Sequence, residues 1–200
     1  MNTNLSSKDI LELLITKHKK QDLLEAEKLY QEVLNKDKNN FNANFLLGTL
    51  FASIKKFESA IIRLEKAKAL NPNNADTHNN LGNVYKELNN IKFAKENYFL
   101  ALKIDSKHIN AIDNLGVIYL QEKEFNLAEE NFKKAISIDS NSANSHYNLG
   151  LTYVKLEKLL QAKDCFLKVI KIIPNFVFAL NALGNVNSTL EKTDEAIYYY

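Results

Sequence analysis

Every glycine in this 200-residue chain falls at one phase of a 34-residue period: Gly48, Gly82, Gly116, Gly150 and Gly184. The two prolines keep step, since Pro72 and Pro174 each follow a glycine by 24 residues. So strict a spacing marks supersecondary units that cannot bury an apolar face alone and are stabilised by stacking on their neighbours. With the glycine as position 8, the units run 41–74, 75–108, 109–142, 143–176 and 177–200, the last incomplete. One period earlier, 7–40 reads as a degenerate capping unit, with Ala26 at position 20, Tyr30 at 24 and Val33 at 27. Residues 1–200 are therefore expected to form a single solenoid domain.

Each unit carries the pattern of two amphipathic helices. Positions 3, 7, 10 and 11 share one helical face, with Leu47, Leu81, Leu115, Leu149 and Leu183 at position 7. Position 11 is Phe51, Tyr85, Tyr119 and Tyr153, then breaks at Asn187. A polar break such as Lys55-Lys56 or Glu122-Lys123-Glu124 precedes the second helix. There position 20 is always alanine (Ala60, Ala94, Ala128, Ala162, Ala196) and position 24 large and apolar (Leu64, Tyr98, Phe132, Phe166, Tyr200). Serine or proline at position 32 closes the pair: Pro72, Ser106, Ser140, Pro174. The small residues at 8 and 20 predict close approach of two antiparallel helices.

The string L-G-x-x-Y followed by A, F/Y, A and P resembles the tetratricopeptide repeat family over nearly the whole chain. The tryptophan usual at position 4 is replaced by Asn44, His78, Ile112, His146 and Leu180. The resemblance implies an all-α fold: a right-handed α-solenoid of antiparallel helix pairs. It also implies that the first helices line a concave groove through positions 2, 5, 6, 9, 12 and 13.

Composition excludes several other tasks. Lys+Arg 26 against Asp+Glu 24 leaves a net charge of +2, too little to attract nucleic acid or an anionic membrane. Cys165 is the one cysteine, so neither a disulfide framework nor a four-cysteine zinc site can form. His18, His78, His108 and His146 never stand at close metal-ligand spacing. No phosphate-binding glycine loop occurs, and the first ten residues lack a secretory pattern. The chain is therefore expected to be cytoplasmic, to carry no catalytic or metal site and to use no cofactor. Cys165, beside the packing residue Phe166, reads as a small helix residue, and His18-Lys19-Lys20 as a solvated turn.

What stands out on the implied groove is amide. Position 6 is Asn80, Asn114 and Asn148 in the three central units; Asn110 and Asn144 stand at position 2, Asn79 and Asn181 at 5, Asn83 and Asn185 at 9. Asparagine is a poor residue for a helix interior, and its amide can pair with both groups of an extended main chain. The row at position 6 resembles the asparagine ladder of O-linked N-acetylglucosamine transferase repeats, which would make Asn80, Asn114 and Asn148 the ladder; the other groove amides and Tyr147 complete the expected peptide-binding set. Phe45, Leu151 and Phe178 would add apolar contact. The carboxylate clamp of chaperone-tail-binding repeats does not fit: its frame holds Asn79, Asn83, Asn114, Asn144 and Asn148, and every cation is missing. The expected function is a protein-interaction scaffold binding a protein or peptide in extended conformation. The alternative is the substrate-recruiting arm of a larger glycosyltransferase or sulfotransferase whose catalytic domain lies beyond residue 200. The chain stops mid-repeat at Tyr198-Tyr199-Tyr200, which suggests an excerpt. It also suggests self-association through the uncovered half-repeat.

Overall fold

The computed structural model describes residues 23–190. They form helices throughout, with no strand among the described residues. These are α1 (Leu23–Lys36), α2 (Phe41–Ser53), α3 (Phe57–Leu70), α4 (Ala75–Glu87), α5 (Ile91–Ile104), α6 (Ile109–Gln121), α7 (Phe125–Ile138), α8 (Ala143–Lys155), α9 (Leu159–Ile172) and α10 (Val177–Thr189). First helices begin 34 residues apart from Phe41 to Val177, and second helices likewise from Phe57 to Leu159. The chain divides into two compact units, one ending at Ser106 and the other starting at Lys107. In the N-terminal unit α2 pairs with α3 and α4 with α5; in the C-terminal unit α6 pairs with α7 and α8 with α9. His18-Lys19-Lys20, and the self-association surface at Ile197, Tyr198 and Tyr200, lie outside the described residues.

Helix starts are set by local chemistry. Asn40 accepts from the Ala43 N–H at 3.0 Å and Asn74 from the Thr77 N–H at 2.8 Å. In the C-terminal unit His108 Nδ1 accepts from the Ala111 N–H at 3.1 Å and Ser142 Oγ from the Ser145 N–H at 3.3 Å. Each satisfies a donor that the first turn leaves open. Phe176, at the same phase, makes no such bond.

The first helices α2, α4, α6 and α8 end in one motif. Lys55, Asn89, Lys123 and Glu157 adopt φ of 59°, 57°, 66° and 58°. The following N–H closes back on the helix, as from Lys56 to the Phe51 carbonyl at 2.8 Å and from Lys158 to the Tyr153 carbonyl at 2.9 Å. This is the Schellman ending, which ordinarily places glycine at the left-handed residue. Here the polar break read from the sequence is left-handed without glycine. Lys56 sits 5.4 Å over the Phe51 ring and Lys158 5.5 Å over Tyr153. The lysine stem and ammonium thus cover the aromatic ring at the helix end.

The core follows the predicted phases. Leu47, Leu81, Ala60, Ala94, Leu64 and Tyr98 are wholly buried in the N-terminal unit, as are Ala128, Ala162, Phe132, Phe166 and Leu183 in the C-terminal one. Each large side chain there contributes about 1.5–3 kcal/mol by leaving water. The close approach at the glycine is made with position 24 rather than with the alanine at 20. A Cβ on Gly82 would lie 2.5 Å from Tyr98 Cε1, and one on Gly150 2.5 Å from Phe166 Cε1. Position 30 is less buried than its apolar residues suggest, Ile104 being 38% exposed. Asn187, where the aromatic row breaks, is wholly buried and its amide has no partner among the described residues.

Candidate functional site

On each first helix the residues at 3, 7 and 10 point into the core, leaving 2, 6, 9 and 13 toward the surface. In the N-terminal unit Asn80 is half-buried, and its Nδ2 donates to Thr49 Oγ1 at 3.0 Å, tying α4 to α2. The Thr49 hydroxyl in turn donates to the Phe45 carbonyl at 2.9 Å. Asn79 is not a surface residue: it is 4% exposed and its Nδ2 donates to Asn80 Oδ1 at 3.4 Å. Asn83 Oδ1 accepts from the Tyr98 hydroxyl at 2.8 Å. Two of the amides expected at the surface therefore serve the scaffold, one supporting Asn80 and one holding the ring that fills the space beside Gly82.

In the C-terminal unit Asn114 and Asn148 are half-buried at the same helical phase, while Asn110, Asn144, Asn181 and Asn185 are exposed. Tyr147 packs its ring 5.8 Å from Phe166 and 5.4 Å from Phe176. Phe176 lies 6.1 Å from Phe178, which is 69% exposed. Asp113 is half-buried on α6, with both carboxylate oxygens 2.8 Å from Ser145 Oγ on α8. Burial pushes its carboxyl up to about 6, against the opposing pull of the Ser145 hydrogen bond.

The residues that replace tryptophan at position 4 have a structural task. Asn44 Nδ2 donates to the Lys38 carbonyl at 3.2 Å, His78 Nε2 bonds the Pro72 carbonyl at 3.0 Å, and His146 Nε2 the Ser140 carbonyl at 3.0 Å. Each pins the connection that enters its repeat, six residues upstream, so the substituted residue exchanges ring packing for a loop tether. The signal in the sequence was the polar residue at position 4 of three repeats, legible only once the loop carbonyl at position 32 is known to face it.

Cys165 is buried, and burial raises its thiol to about 12, so it stays protonated and unreactive. No group of three His, Cys, Asp or Glu side chains that could hold a metal occurs among the described residues. No described helix is long and apolar enough to cross a membrane.

Serial 34-residue helix hairpins, each with a buried contact between its glycine and a large apolar or aromatic side chain, define a helical repeat protein. Tetratricopeptide repeat models match residues 75–108 and 143–176, and a TPR repeat model matches 48–89 and 116–157. The chain belongs to the tetratricopeptide repeat family, and its fold is an all-α TPR solenoid. Pseudomonas aeruginosa PilF is similar in structure, with TM-score 0.87 and 19% identity over 96% of this chain and 88% of that one. PilW, described as a widely conserved type IV pilus biogenesis factor, has TM-score 0.87 and 20% identity over 98% and 91%. YrrB, described as a TPR protein with an unusual peptide-binding site, has TM-score 0.65 and 23% identity over 88% and 91%. No curated protein matches the sequence. All three are TPR proteins other than the transferase repeats.

Proposed function

We propose that this chain is a protein-interaction scaffold that holds an extended peptide segment along its first helices. The observation that carries the reading is that Asn80 in the N-terminal unit, and Asn114 and Asn148 in the C-terminal unit, are each half-buried at one helical phase, on helices whose neighbouring residues are core. Asn80 is also preorganised, because Thr49 takes one N–H and Asn79 fills one lone pair of its oxygen. One donor and one acceptor of that amide are left for a peptide main chain. Held amides lose less side-chain entropy on binding than free ones. The existence of a related fold described as peptide-binding is consistent with this use. In the C-terminal unit Asn110, Asn144, Asn181 and Asn185 are exposed on first helices, while in the N-terminal unit Asn79 supports Asn80 and Asn83 holds Tyr98.

Three such bonds contribute about 0.5–1.5 kcal/mol each, enough to orient a chain without tight binding. A micromolar Kd, about −8 kcal/mol, is the expected scale, and apolar contact from Phe45, Tyr147, Leu151 and Phe178 has to supply the rest of it. The test is a pulldown with the intact chain beside an Asn80→Ala, Asn114→Ala, Asn148→Ala variant whose helicity is first checked by circular dichroism. Loss of partners from a folded variant supports the reading. Equal recovery by both proteins contradicts it.

A further inference from the structure

We infer that the first-helix face of the C-terminal unit selects a segment carrying a lysine or arginine and, about three residues away, a bulky apolar side chain. The inference rests on the peptide-groove reading above and names its specificity. It starts from Asp113. Ser145 Oγ lies 2.8 Å from both of its oxygens, and Ser142 Oγ lies 2.7 Å from Ser145 Oγ. Because Ser145 has one hydroxyl proton and gives it to the carboxylate, Ser142 donates to Ser145. Ser142 in turn takes the Ser145 N–H. Every proton in this chain is directed at Asp113, yet no cation pairs with it among the described residues. A half-buried carboxylate held by a single hydroxyl is incompletely compensated. The surrounding amides, Asn110, Asn114, Asn144 and Asn148, can orient a ligand but cannot neutralise it. A guanidinium or ammonium supplies the missing charge and bonds the remaining lone pairs.

One period along the chain the same three positions change character together. Asp113, Ser145 and Ser142 become Tyr147, Ala179 and Phe176. The polar trio thus gives way to a ring cluster continued by Phe178, 69% exposed, and Val177, 61% exposed. In the other repeats position 34 is a helix cap, and here that cap is given up for a ring. Large apolar side chains gathered at the edge of a groove mark a binding anchor. First helices of adjacent repeats lie about 10 Å apart. An extended chain advances about 3.3–3.6 Å per residue, which sets the spacing between the two anchors.

The test is fluorescence anisotropy on the intact chain with labelled Gly/Ser peptides whose cores are Lys-Ser-Ser-Phe, Gln-Ser-Ser-Phe and Lys-Ser-Ser-Ser. Replacing Lys by Gln should weaken binding about tenfold, the loss of one charge-assisted bond pair. Asp113→Asn, which can still accept from Ser145, should abolish that difference, and Phe178→Ser should abolish the preference for Phe. An Asn114→Ala, Asn148→Ala variant is measured alongside. Equal affinities for all three cores, still dependent on Asn114 and Asn148, overturn the specificity and leave the groove standing. Failure of every peptide to bind, or binding indifferent to those asparagines, overturns the groove reading and the inference with it.

Discussion

At Gly82 one hydrogen in place of a methyl allows α4 and α5 to close on each other. Its missing Cβ would lie 2.5 Å from a wholly buried Tyr98 ring that Asn83 anchors through the hydroxyl. Gly82→Ala gains up to about 1 kcal/mol in helix propensity, and overpacking costs about 1–3 kcal/mol. The expected net is a loss of up to about 2 kcal/mol, read as a lower urea midpoint at unchanged slope. Asp113 gives a second residue-scale prediction, in pH. Its carboxyl is raised from 3.8 to about 6, so the folded state holds a proton that the unfolded chain releases first. Its contribution is complete below about pH 4, declines as pH rises to about 6, and stays lost above that. Asp113→Asn should therefore flatten the stability curve between those values and stabilise by about 1–3 kcal/mol at pH 7, with no effect at pH 3. An unchanged pH profile would contradict the burial argument. Gly82 was legible in the sequence because it repeats, whereas its partner Tyr98 was not, since spacing alone cannot say which residue of the facing helix comes closest. Nothing in the spacing singled out Asp113, which stands at position 5 of its repeat. Its partner Ser145 lies on the next first helix, where pairing depends on the stacking itself.

Helix boundaries within a repeat were legible from the polar breaks and from position 32. The left-handed endings were not, because the residue that signals them is absent: Lys55, Asn89, Lys123 and Glu157 stand where glycine is usual. A side chain in that region costs about 1–2 kcal/mol, partly offset because glycine loses more entropy on folding. Lys123→Gly should therefore stabilise the C-terminal unit by about 0.5–1 kcal/mol, seen as a higher melting midpoint. A fall instead would show that the lysine makes contacts worth more than the strain. A second element-scale prediction concerns the tie between α7 and α9. Glu129 bonds Lys133 at 2.6 Å and Lys158 at 2.9 Å, and the same geometry joins Glu27 to Lys56 at 3.2 Å in the N-terminal unit. Hydrogen bonding from Lys133, aided by Lys158, holds the Glu129 carboxyl below its ordinary 4.5. Its stabilisation is present above that value and is lost as pH falls through the depressed one. Glu129→Gln should cost about 0.5–1 kcal/mol at pH 7 and nothing at acid pH. Equal losses at both would remove the charge from the explanation.

Across the whole molecule the charge is nearly balanced, and the proposed ligand contacts are amides, rings and one carboxylate. Peptide affinity should then change by less than about threefold between 50 and 500 mM salt, since at most one ion pair is screened. A steep loss would point to a different, charged surface. The repeat architecture was legible because one small residue must recur wherever two helices touch. Partner chemistry was less so: the asparagine row is visible in the sequence, but Asn79 and Asn83 turn inward and cannot be told apart from Asn80 by spacing. The claim on which the function depends is that the first helices form the binding wall. Side-chain amide spectra of the 15N-labelled chain, titrated with an extended peptide bearing Lys-Ser-Ser-Phe, test it directly. Shifts concentrated at Asn80, Asn114 and Asn148 are expected. Shifts confined to second-helix residues such as Asn97 and Asn131, with those three unmoved, would contradict it.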